Sequence, residues 1–350
     1  AVLRMSRPAT EVRRRRLPLW LSWPVVLSAP LVLVLIGVQV VSEPEAIPLA
    51  IVPLAIVAPA LLWLDRVHPQ RWSTRVHALL WGATISVLVA GVLNSAAGSS
   101  LSPTLEAVLA APVVEEAMKG LGVVWAVRRG EIDGPMDGIL TAGWVALGFT
   151  VVEDMAYFAQ SAQDGELLES FLLRGLLTPF AHPMLTFWTG LAIGMAVFRQ
   201  RSVVWAAWGF GIAVATHVLF NGVWELADER FPPLGIALFV TMLVVVGMLA
   251  LRVRSREVDQ FITAVPALAE RYGLSQAAVA AFDSWRGTLS HRRSLPRDQR
   301  RQFDDLRGAL ARLALQQARP GGPDPDREQV LVEQLSQSVS DGLGGALPHA

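Results

Sequence analysis

The chain has 350 residues, of which 53% are hydrophobic and 17% charged, and its mean hydropathy is +0.43. Soluble domains carry nearer 25% charged residues, so the composition predicts an integral membrane protein whose first partner is the lipid bilayer. A formal net charge of zero argues against nucleic acid as a partner, and the absence of cysteine excludes disulfides, thiol nucleophiles and thiolate metal sites.

In chain order, residues 1–16 form a basic, cytoplasmic N-terminus ending in Arg13–Arg16. The apolar run that follows is too long for the core of a signal peptide and lacks a small-residue cleavage site, so it reads as a retained first span. Apolar stretches of about 20 residues are transmembrane candidates. Eight occur, over 17–41, 46–64, 76–97, 103–127, 136–160, 171–198, 203–224 and 232–251. Pro48, Pro53 and Pro59 make the second the weakest.

Orientation follows from the arginines. With the N-terminus inside, the inner segments hold 16 arginines and the outer loops one, Arg230, with Arg174 just inside the outer end of the sixth span. The outer loops are acidic instead, with Glu43, Glu45, Asp164, Glu166, Glu169, Glu225, Asp228 and Glu229. Both termini are therefore expected to be cytoplasmic.

Residues 252–350 change to a soluble composition. Phe303, Leu306, Leu310 and Leu313 recur at helical spacing and predict an amphipathic helix over Arg297–Gln317. Pro320-Gly321-Gly322-Pro323 breaks the chain before another helix at about 327–340, and the last ten residues read as disordered. The expected architecture is all-α: a polytopic membrane helix bundle over 17–251, with its core at 103–225, and a helical cytoplasmic tail over 252–350. The tail carries no recognisable catalytic motif and reads as an appendage for regulation or for contact with a cytoplasmic partner.

The polar residues inside the apolar spans are the functional signal. A charge at the bilayer centre costs roughly 2.5–3.5 kcal/mol even on the lenient insertion scale, yet the fourth span carries Glu115, Glu116 and Lys119, the only lysine in the chain. The fifth carries Glu153, Asp154 and Tyr157, the sixth His182 and Thr186, and the seventh His217 and Asn221. Members of each pair at i,i+3 or i,i+4 share a helix face. At about 1.5 Å per residue, Glu116 lies roughly 17 Å from the cytoplasmic end of its span, His217 about 21 Å, His182 about 24 Å and Glu153 about 25 Å. Four antiparallel helices thus present carboxylates and imidazoles at one level. An isolated Glu–Lys pair could be a packing salt bridge, a lone histidine a hydrogen-bonded packing residue, and Asn221 or Thr186 interhelical glue. Coincidence in depth favours one site.

Two hydrolytic arrangements suit these residues. In one, His182, His217 and a carboxylate, Glu153 or Glu116, hold Zn²⁺ with an open position for water. In the other no metal takes part: a buried glutamate and an imidazole act as general base while His217 and Asn221 donate to the oxyanion. Adjacent glutamates point about 100° apart on a helix, so Glu115 and Glu116 are expected to divide the work, one activating water and the other pairing with Lys119.

In this order, Glu115-Glu116-x-x-Lys119, Phe149-x-x-x-Glu153-Asp154-x-x-Tyr157, His182-Pro183-x-x-Thr186 and His217-x-x-x-Asn221 resemble the PrsW family of bacterial intramembrane proteases, part of a wider group with the CAAX prenyl endopeptidases. The resemblance covers about residues 103–225, and Arg174, eight residues before His182, fits the family's actinobacterial members. It implies hydrolysis of a peptide bond in a single-pass membrane protein such as an anti-sigma factor, at a bacterial plasma membrane. By position Glu115 and Glu116 match the family's glutamate pair, and His182 and His217 its histidines. Glu153 stands where the CAAX-protease relatives carry a histidine, and Asn221 matches their polar residue four after the last histidine. Those relatives usually have Arg four residues after the second glutamate; here Lys119 comes three after it. Family members are often labelled metalloproteases, while the relatives can be read as glutamate-dependent without metal. The catalytic candidates are thus Glu115, Glu116, Lys119, Glu153 and Asn221, and the metal-ligand candidates His182, His217 and Glu153. Two other functions use intramembrane charges or none. A proton- or ion-coupled transporter commonly shows internal repeats, which residues 17–127 and 136–251 lack. A non-catalytic membrane scaffold would leave the polar residues without a chemical task.

Overall fold

A computed structural model of the chain describes residues 22–226 and 232–340, and the described residues are helical without strands. Twelve helices account for them: α1 (Trp23–Ser42), α2 (Ala46–Leu64), α3 (Trp72–Gly98), α4 (103–128), α5 (Pro135–Asp164), α6 (Leu167–Phe198), α7 (Val204–Leu226), α8 (Pro232–Tyr272), α9 (Gln276–Ala281), α10 (Trp285–Ser294), α11 (Arg297–Gln317) and α12 (Pro325–Ser340). The basic stretch at Arg13–Arg16, the Arg230 loop and the last ten residues lie outside the described residues.

Among the described residues six helices, α2, α3, α5, α6, α7 and α8, are long and apolar enough to cross a membrane. The chain is a polytopic helix bundle, but eight such helices are not found. The other two expected spans correspond to α1, whose apolar described stretch is Trp23–Val34, and α4. Every membrane-length stretch of α4 includes Glu115, Glu116 and Lys119, which keeps it below the apolarity of the rest. Of the prolines of α2, Pro48 and Pro53 lie in the first turns of its two parts, on either side of a break at Ile51, and Pro59 lies inside the second part.

The most buried span is α5, which packs against α3 on one side and α6 on another. Close approach is made possible by glycine: a Cβ on Gly138 of α5 or Gly190 of α6 would collide with the other's carbonyl oxygen, and Gly148 of α5 meets Leu79 of α3 in the same way. Without a hydrophobic force between helices in lipid, such small-residue contacts let dispersion hold the bundle. Leu140, Leu147, Leu185 and Trp81 fill the core around them.

The membrane helix α8 does not stop near residue 251 but runs on to Tyr272, into the tail. Helices α9 to α12 fold back over its extension around Phe261, Phe282, Phe303 and Leu310, and Val67 from the α2–α3 loop enters that same core. The helix over Arg297–Gln317 has the bounds expected from the sequence. It is docked: Arg312 donates to the Pro69 carbonyl at 2.7 Å, Arg319 to the Val197 carbonyl at 3.1 Å, and Arg327 of α12 pairs with Asp133. Beneath it His68 bonds Glu257 of α8 at 2.9 Å and faces Asp137 of α5 at 3.6 Å. The tail and the membrane helices thus share one buried ion cluster.

Candidate active site

The α4 helix is built so that its charges face inward. Glu115 and Lys119, four apart, and Glu116 and Lys119, three apart, lie on one side, and all three are buried. Lys119 Nζ lies 3.2 Å from Glu115 Oε2, 3.3 Å from Glu116 Oε1 and 2.9 Å from His182 Nδ1, and 3.9 Å from the centre of the Phe149 ring. An ammonium has three N–H bonds, and each has an acceptor. The lysine pairing expected for one glutamate is shared by both, because the long lysine side chain reaches each.

His182 stands at the start of the second half of α6. Pro179 has no N–H to carry the helix onward, the chain bends at Thr178–Phe180, and a new helix begins at Ala181. Because lysine only donates, His182 Nδ1 accepts from Lys119, and its Nε2–H donates to Glu153 Oε2 at 2.7 Å. Glu153 is in turn held by Arg174 Nη2 at 2.6 Å, while Arg174 Nε donates to Asp154 at 2.9 Å and the guanidinium lies 3.8 Å over Tyr157.

His217 of α7 is oriented from behind. Its Nδ1–H donates to Glu116 Oε1 at 3.1 Å, which leaves the Nε2 lone pair toward Glu115 Oε2, 4.0 Å away. The two imidazoles meet edge to face, centres 5.5 Å apart. Fully buried Thr186, one turn after His182, lies beside Glu116.

Asn221, one turn beyond His217, donates from Nδ2 to the Ala107 carbonyl at 3.0 Å. A wide π-helical turn at Glu106–Ala110 sends the Ala111 N–H to Glu106, and Pro112 has no N–H for Ala107. Asn221 fills that gap, which is a packing task, and keeps a second N–H.

A cavity of about 200 Å³ opens over these groups, lined by Glu115, Glu153, His182, His217 and Asn221. Glu116 and Lys119 do not line it. Asn94 of α3 and Glu106, which belong to none of the four motifs, also border the cavity. Asn94 carried a legible signal, being an amide within an apolar helix.

Glu115, His182 and His217 can each point one ligand atom to within 4.8 Å of the others. Two imidazoles and one carboxylate are the donor set of catalytic zinc sites, so the residues fit a metal by kind. The carboxylate of this trio is Glu115, whereas Glu153 is engaged by Arg174 and His182, and Glu116 by His217 and Lys119. Charge also permits a cation, since among the described residues the permanent cations paired with Glu115, Glu116, Glu153 and Asp154 are two, Lys119 and Arg174.

Comparison with known proteins points the same way. The chain is 31% identical over 141 residues to a protein described as Protease PrsW from Geobacillus kaustophilus (strain HTA426), a match covering 39% of this chain and 59% of that relative. The chain therefore spans less than two thirds of the relative it matches. No solved structure matches it. The family model described as PrsW family intramembrane metalloprotease matches residues 70–250, which include every group of the site. By that match and by the glutamates and histidines gathered between α4 and α7, the chain belongs to the PrsW family.

Proposed function

We propose that this chain is an intramembrane endopeptidase that cuts a peptide bond in a single-pass, anti-sigma-factor-like membrane protein. The observation that carries the reading is the pairing of Glu115 Oε2 with the open Nε2 of His217 at the cavity wall, backed by Glu116 on the other imidazole nitrogen. A carboxylate on Nδ1–H fixes the tautomer and makes Nε2 a better base.

The chemistry assigns the two glutamates by position. Glu115, at the cavity, takes the proton of a water that attacks the scissile carbonyl, and Glu116, fully enclosed, orients His217. Glu115 then gives that proton to the departing amide nitrogen, directly or by passing it through His217 Nε2. The free N–H of Asn221 faces the developing oxyanion. Lys119 balances both glutamates, and Glu153 with Arg174 holds His182 in place. A zinc ion held by Glu115, His182 and His217 would supply polarisation of the carbonyl and acidification of the water. The excess of arginine in the inner segments supports a bacterial plasma-membrane protein with both termini in the cytoplasm. The docked tail offers its outer face to a cytoplasmic partner.

The test is cleavage of a single-pass reporter in proteoliposomes. Glu115→Ala and His217→Ala should each lower the rate by about 10²–10⁴, the range of a lost general base. Full cleavage by both variants would remove Glu115 and His217 from the catalytic machinery, and no cleavage by the wild type, with output in cells intact in both variants, would return the chain to the scaffold reading. Proton or ion flux with no cleavage by the wild type would favour the transporter.

A further inference from the structure

The cation nearest the candidate ligands is part of the protein. Lys119 Nζ bonds Glu115 Oε2 and His182 Nδ1, and these residues are two of the three that could hold a metal. Both His182 nitrogens are occupied, Nδ1 by Lys119 and Nε2 by Glu153, and Glu153 is anchored by Arg174. Freeing Nε2 would break the Glu153 bond, which Arg174 holds in register. Freeing Nδ1 instead moves the one Lys119 ammonium off its three acceptors, Glu115, Glu116 and His182, and leaves the Glu153–Arg174 pair intact. With Lys119 in place, only His217 Nε2 and one Glu115 oxygen remain, fewer than the three protein ligands of a catalytic zinc site.

We propose that Lys119 and a divalent metal compete for Glu115 and His182, so that the site takes up a metal only when the Lys119 ammonium withdraws. The two cations are alternative occupants of one anionic cluster. Lysine donates but offers no lone pair while charged, so it cannot join the metal's ligands and can only be displaced. The inference rests on the same site as the protease reading, but its readout is metal occupancy, so failure of either leaves the other standing.

Full-length protein in detergent would be titrated with Zn²⁺ against a chelator, for the wild type, Lys119→Met and Lys119→Arg. Lys119→Met should bind one zinc per chain at least about tenfold more tightly than the wild type, the scale on which neighbouring groups tune metal affinity. Lys119→Arg keeps the cation and should show no gain, and His182→Ala added to Lys119→Met should remove the gain. Equal affinities in wild type and Lys119→Met, no binding in either, or a gain that survives the loss of His182 would overturn the proposal. A readout on the unaltered protein guards against a variant that fails to fold. Lys119 is the only lysine, so ¹³C labelling of lysine at Cε gives a single side-chain resonance from the chain. That resonance should move when zinc saturates the wild type. An unmoved signal at full occupancy, or no occupancy at millimolar zinc with a folded Lys119→Met equally empty, would sink the idea.

Discussion

At the scale of single residues, the site is a chain of hydrogen bonds in which each member fixes the next. Arg174 anchors Glu153, Glu153 receives His182 Nε2–H, and His182 accepts from Lys119. The guanidinium does this with two separate nitrogens on two carboxylates while stacked over Tyr157. An ammonium cannot reproduce that fork. Arg174→Lys should therefore lower reporter cleavage by about 10–100-fold, as for other partners one step behind a site, with little change in KM. Initial rates over a range of substrate density measure both. An unchanged rate would mean that His182 is held without Arg174. The residue types were legible in the sequence, because ionisable groups inside apolar helices advertise themselves. Their pairing was not: Lys119 reaching both glutamates and Glu115 joining the histidines depend on rotamers and on the spacing between helices.

At the scale of the elements, helices were readable from composition and periodicity. The contact between α5 and α6 depends instead on which small residues face each other. Gly138 and Gly190 bring the two backbones close enough that a side chain on either would strike a carbonyl, and the same two helices carry Glu153 and His182. Gly138→Leu should lower thermal stability in detergent, with a cost of at least the roughly 1–3 kcal/mol typical of overpacking, and should also reduce cleavage. Gly91 of α3 has open space around its Cβ position, so Gly91→Leu should leave the melting temperature nearly unchanged. Equal melting temperatures for the two variants would rule out the close-packed contact. The irregular turns matter as much as the regular ones. Bends at Glu106–Ala110 and Thr178–Phe180 free a carbonyl for Asn221 and start the helix that carries His182. Pro112 and Pro179 hint at them in the sequence, but periodicity alone reads straight through.

At the scale of the whole molecule, the C-terminal tail and the membrane bundle meet at His68. Burial alone would lower its pKa, but the Glu257 and Asp137 carboxylates outweigh burial and the nearby Arg312, and raise it from 6.5 to about 9. A pKa raised in the folded state gives stability that is complete below about pH 6.5 and fades as pH rises toward 9. At about 1.4 kcal/mol per unit, neutralising His68 removes roughly 3 kcal/mol of that stability. Asp65, beside Arg75, is pushed by burial from 3.8 up to about 6, so its own cost is incurred between pH 4 and 6, below the His68 window. Limited proteolysis of the tail should accelerate between pH 6.5 and 9 in the wild type. His68→Gln should cleave faster at pH 6.5 and show a flatter profile. A wild-type profile as flat as that of His68→Gln would refute the part given to His68.

The same molecule shows how far local information reaches. Hydropathy, arginine placement and the polar residues within apolar runs identify a helical membrane bundle and the helices that hold its site, because each depends on the chemistry of a segment about 20 residues long. The tail helix over Arg297–Gln317 was legible for the same reason, its apolar stripe repeating every turn. Its docking was not, since Arg312 meets Pro69 and Glu257 meets His68 across 243 and 189 residues of sequence. His68 lies in a loop, and the two carboxylates that hold it, Glu257 and Asp137, are far from it in the chain. The assignment of Glu115 to the front of the site and Glu116 to the back is of the same kind. The two neighbours are chemically identical, and only the helices packed around them, with His217 bonded to one and an open cavity before the other, make them different.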